Sequence, residues 1–176
     1  MLLRELNAGF SLVTTFLALG HAISLAAWML SKGRITMPTS TLPWLLTCLV
    51  VVHVLLSICL MISGHKGQKG PKGRAYPKLN RETMVQRITG ILMLVFTALH
   101  ILGATGIMQP PPLIHAIVPP LFFTIVLAHV AVSTPKALIT LGFGNTKFIK
   151  ISGIVIKVIC IATLVADIVG FYLYVC

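Results

Sequence analysis

Five stretches of the chain are apolar for about the length that a helix needs to cross a bilayer core, and polar residues fall almost wholly between them. A hydrocarbon layer of about 30 Å takes about 20 residues of helix at about 1.5 Å of rise each. On that ruler the spans run over residues 10–30, 42–63, 88–107, 113–132 and 151–175. The one long polar stretch, residues 64–87, is rich in glycine and proline and carries Lys66, Lys69, Lys72, Arg74, Lys78, Arg81 and Arg87. It reads as an irregular, solvated basic loop. The expectation is an all-α integral membrane protein of five transmembrane helices in a single domain over residues 1–176, its first four helices forming a bundle.

Composition agrees with this pattern. Of 176 residues 57% are hydrophobic and 10% charged, where a soluble domain has about 45–50% apolar and about 25% charged residues. The formal charge of +11 sits in the loops, where membrane topology and anionic headgroups account for it, so nucleic acid is not expected as a partner. Short cytoplasmic loops are enriched in Lys and Arg. Placing the N-terminus in the cytoplasm puts Arg4, the basic loop, Lys136, Lys147 and Lys150 inside and leaves Lys32 and Arg34 outside. Trp28, Trp44, Tyr172 and Tyr174 then fall at the outer ends of their helices, as an interfacial aromatic belt does. The first apolar run lacks a small-residue cleavage site after it and reads as a retained span. The four cysteines form no C-x-x-C pair and indicate neither zinc nor a redox motif.

Ionisable residues within a membrane are costly, which makes the histidines informative. Four of six fall one per helix in the first four spans: His21, His53, His100 and His129. Counted from the inner ends of their spans, His21 and His100 lie about 17 Å deep, His53 about 15 Å and His129 about 6 Å. Helices one and three run the same way, as do two and four, so His21 with His100 and His53 with His129 make two pairs across one bundle, although depth alone also permits His21 with His53. Facing neutral imidazoles in an apolar slot suit haem iron, whereas zinc takes three or four ligands at one depth. With an imidazole on both axial sides, electron transfer is expected rather than oxygen binding. Ala18, Ser24, Ser57, Thr97 and Gly103, near the histidines, would leave room for a macrocycle.

The stretch Gln86-Arg87-Ile88-Thr89-Gly90 followed by His100 resembles the Q-R-[IV]-[ST]-G…H segment of the cytochrome b membrane anchors of succinate dehydrogenases and fumarate reductases. One histidine on each of four helices, with a fifth helix following, is similar to the di-haem single-subunit form of that family. The resemblance implies two haem b, at His21 with His100 and at His53 with His129. It implies a quinone, menaquinone first, and flavoprotein and iron–sulfur subunits docked on the cytoplasmic side of a prokaryotic inner membrane. The chain would then be the quinone-reactive electron-transfer subunit of an oxidoreductase, with dicarboxylate catalysis on its partners. Arg87 would sit beside a haem propionate or serve as a positive-inside anchor. Lys157 would either meet a buried propionate or snorkel to the interface. Asp167, the one acid within a span, is a candidate for proton exchange with quinone, and His115, after the Pro110-Pro111-Pro112 run, for quinone binding. The helices lack the glutamates of family members that couple protons across the membrane, so a dedicated carboxylate path is not expected. Two other readings remain: a cytochrome b anchor for a different oxidoreductase, and a haem-free small transporter or assembly anchor, for which Pro119-Pro120 and Asp167 would form an interrupted midplane site.

Overall fold

The computed structural model describes residues 2–34, 41–67, 81–108 and 111–175, and these fold as five helices: α1 (Leu2–Leu30), α2 (Thr41–Gly67), α3 (Arg81–Ala104), α4 (Pro112–Thr140) and α5 (Thr146–Val175). Each contains a stretch long and apolar enough to cross a membrane. Large apolar side chains such as Phe16, Ile91, Val158 and Ile161 stand exposed on their outer faces, as lipid-facing positions do.

The helices alternate in direction. Ser57 of α2 hydrogen-bonds Asn7 of α1, and Lys136 of α4 hydrogen-bonds Gln86 of α3, which places those ends together. Trp28 and Tyr174 stack at 4.6 Å at the opposite end, so α1 and α5 run parallel. The densest packing joins α1, α4 and α5 around Leu19, Leu127, Val130, Ile156 and Cys160. Glycines permit it: a Cβ at position 170 would stand 3.1 Å from the Met29 Cβ, and one at 153 would stand 3.4 Å from the Pro135 ring. Small residues let helices approach closely where lipid supplies no hydrophobic drive. The fifth helix is therefore part of the packed centre, wedged against α1 and α4, rather than an appendage to a bundle of four. Helix α2 leans on α1 and α3 on α4, and among the described residues these two flanking helices do not meet.

Helix ends depart from the apolar ruler for identifiable reasons. Helix α4 carries Pro119, Pro120 and Pro135 within it and continues past residue 132 to Thr140. There a left-handed Gly142 (φ +88°) closes it, with Gly142 N–H donating to Ile139 and Phe143 N–H to Leu138. This is the Schellman arrangement, which favours glycine at the left-handed position. Helix α5 starts at Thr146, earlier than residue 151, because the Asn145 side chain accepts the Lys147 and Phe148 N–H groups, a side-chain cap. The expected basic loop is shorter too: residues 64–67 belong to α2 and 81–87 to α3, while 68–80 lie outside the described residues. The longer α4 narrows a mismatch in depth: His129 is 11 residues before Thr140 and His53 is 14 before Gly67, about 17 Å and about 21 Å along their axes.

Candidate functional site

The gap between α2 and α3 is a cavity of about 340 Å³, and His21, His53, His100 and His129 all border it, one from each of the first four helices. The wall is mostly apolar, with Val50, Met93, Phe122, Phe123 and Val126 on it. Ala18 and Thr97 also line it, as small neighbours of the histidines. The Ser24 and Ser57 hydroxyls are turned to Gly20 and Asn7 instead.

His129 is the most firmly placed of the four. It is 9% exposed, and its Nδ1 stands 3.1 Å from the Thr89 Oγ1. That hydroxyl also lies 2.7 Å from the Val85 carbonyl, to which it donates. In the tautomer that carries the proton on Nδ1, the hydroxyl accepts from the ring and Nε2 keeps the lone pair that a metal requires. Anchoring of one ring nitrogen by a neighbouring acceptor is the usual support of a ligating histidine. Gly90 completes the seat, since a Cβ there would lie 3.3 Å from the His129 Cε1. Thr89 and Gly90 thus matter because α3 packs on α4, a contact no spacing along the chain discloses.

The other three rings are arranged around the same space. His53 Nδ1 is buried without a hydrogen-bond partner among the described residues. His100 stacks on Phe122 at 5.1 Å between ring centres; it is exposed and borders the cavity. His21 is half-buried in the α1 wall.

Three residues bordering the cavity hold buried polar atoms with no partner among the described residues: Thr14 Oγ1, His53 Nδ1 and both carboxyl oxygens of Asp167. Each such atom costs about 1–3 kcal/mol, and folded proteins retain few of them. Their grouping around one apolar space fits a bound molecule with an extended apolar body. Asp167 is fully buried, at 0% exposure. The remaining expected residues stand apart from this space. Arg87 and Lys157 are exposed on α3 and α5, and neither borders the cavity. His115 is on α4, but its side chain lies outside the described residues.

A second space, of about 270 Å³, opens at the end of the molecule that holds the start of α1. Arg4, Asn7, Gln86 and Lys136 border it, and it shares Ser11, His53 and Ser133 with the larger cavity. The apolar ruler hides it, because ending the fourth span at residue 132 turns Lys136 into a loop cation. Comparison with protein-family models, with curated proteins and with solved structures finds no match for this chain.

Proposed function

We propose that the chain is a di-haem cytochrome b membrane subunit that carries electrons between a membrane quinone and an extrinsic partner. His21 with His100 and His53 with His129 would each hold one haem b. The observation that supports this most is the placement of four imidazoles, from four different helices, on the wall of one apolar cavity. The Thr89 anchor that leaves His129 Nε2 free to coordinate adds to it. Haem b, when bound, supplies reversible one-electron chemistry. The protein's part would be to hold each group between the two imidazoles of a pair and to surround it with the mostly apolar wall of the cavity.

The segment Gln86 to Gly90 with His100 favours a succinate dehydrogenase or fumarate reductase partnership, with flavoprotein and iron–sulfur subunits on the cytoplasmic face of a prokaryotic membrane and menaquinone as the lipid-soluble carrier. A quinol gives up two electrons and two protons, so a proton acceptor is needed beside it. Asp167, buried and with neither carboxyl oxygen partnered among the described residues, is the group proposed for that role, with His115 assisting. The test is reduction of the purified protein by a menaquinol analogue, followed by absorbance. Rapid appearance of b-type bands supports the reading. A colourless protein, or haem that dithionite reduces and quinol never does, refutes it.

A further inference from the structure

We infer that the outer face of α5 around Lys157 docks a transmembrane helix of another protein, one that brings an aspartate or glutamate to the depth of Lys157. This does not depend on the haem reading. Lys157 lies 11 residues after the start of α5 and 18 before its end, about 17 Å and about 27 Å along the axis. A helix of 30 residues is about 45 Å long, against a hydrocarbon core of about 30 Å. With α5 centred on that core, Lys157 stands about 10 Å inside it. Its neighbours on the helix agree, because Ile156 and Cys160 belong to the buried cluster at the packed centre. Lys157 itself is exposed, on a stripe of exposed positions that runs through Lys150, Ile154, Lys157, Ile161 and Val165. Recurrence every three or four residues is the spacing along which one helix packs on another.

Charge identifies the occupant. A charged side chain at this depth is costly and almost always pairs with another group or faces a polar cavity. Lys157 borders neither of the two cavities, and no described residue hydrogen-bonds or ion-pairs with it. The chain has three acidic residues, and none can meet Lys157 from a second copy. Asp167 is fully buried, while Glu5 and Glu82 stand in the first turns of α1 and α3, at helix ends rather than at this depth. The complementary carboxylate therefore comes from a different polypeptide, and the isoleucine and valine side chains beside Lys157 give its helix an apolar surface to pack on. The competing occupant is a lipid phosphate, which the ammonium would reach only by bending back along that apolar face.

The probe is a synthetic leucine–alanine helix of about 22 residues with one glutamate at the matching depth, compared with the same peptide carrying glutamine. Its association with the complete chain in phosphatidylcholine vesicles is read by energy transfer to a label at the C-terminus. The glutamate peptide should bind about tenfold more tightly. Lys157→Leu should abolish that preference, Lys157→Arg should keep it, and Lys157→Glu should transfer it to a lysine-bearing peptide. Lys147→Leu, which alters an exposed cation in the first turn of α5, should leave it intact. In the protein's own membrane, a photo-cross-linker at position 158 should capture a polypeptide with an acid inside its apolar span, from wild type and Lys157→Arg but not from Lys157→Leu. Equal binding of the two peptides to wild type, or a preference that survives in Lys157→Leu, overturns the proposal. So does a captured chain with no acid in its span. If position 158 captures phospholipid alone, and Lys157→Leu loses bound anionic lipid, the face serves headgroups and the proposal is again overturned. Haem content enters none of these outcomes, so a chain without haem would defeat the functional reading and leave this one standing.

Discussion

Replacing Thr89 with valine probes the seat of His129 with little change of shape. The threonine hydroxyl donates to the Val85 carbonyl and, in the tautomer with the proton on Nδ1, accepts from the His129 ring at 3.1 Å. Valine keeps the branched outline and removes the acceptor. The ring is 9% exposed, so water cannot readily substitute, and an unmet buried donor costs about 1–3 kcal/mol. Loss of an anchoring partner behind a metal ligand commonly weakens the metal about 10- to 100-fold, or about 1.4–2.7 kcal/mol at about 1.36 kcal/mol per decade. Titrating haem into haem-free protein in detergent should therefore show one site weakened by about tenfold or more and the other unaltered. Thermal unfolding of the haem-free protein should hardly move. Wild-type affinity at both sites in this variant would refute the assignment of Thr89 as the group that fixes the His129 ring.

Gly90→Ala sets two effects against each other. Alanine gains up to about 1 kcal/mol of helix propensity, yet its Cβ at 3.3 Å from His129 Cε1 makes the ring shift by a few tenths of an ångström. Haem-free protein should melt at the same or a higher temperature while haem at the His53–His129 pair binds more weakly; unchanged binding would show that the close approach is incidental. Gly170→Val should destabilise the contact of α5 with Met29 and Leu30 by about 1–3 kcal/mol, lowering the unfolding midpoint in detergent, and a melt unaltered from wild type would deny tight packing there. Asp167→Leu removes two unpartnered oxygens, so stability should hold or rise. In the same variant quinol should reduce the haems more slowly and dithionite at the wild-type rate. Equal quinol rates would detach Asp167 from the quinone.

The spans were legible because a bilayer imposes a minimum apolar length, and no other arrangement of residues 42–63 or 151–175 satisfies it. The four histidines were legible for a related reason, since imidazoles are costly at that depth and stand out singly on four helices. Helix ends were not. The fourth apolar span ends at residue 132, but in α4 the Ser133 and Thr134 hydroxyls bond back to His129 and Val130, and the helix continues to the Gly142 turn. The contacts that place His129 were hidden for a different reason. Thr89 and Gly90 reach it only because α3 lies on α4 while α2 and α3 stand apart, a choice made by packing of α5 against α1 and α4. Residues Arg87 and Lys157 show the converse: their cationic character was plain from the sequence, but which face of the helix they occupy was not.

The central claim is that two opposed pairs of imidazoles each hold a haem. Chemical determination of haem b per polypeptide, made together with a reduced-minus-oxidised spectrum on wild type and on His100→Ala, addresses it most directly. Two haems in the wild type, low-spin in both oxidation states, and a single remaining haem in His100→Ala are the predicted result. A wild-type chain that carries none, or a His100→Ala variant that retains both, contradicts the account.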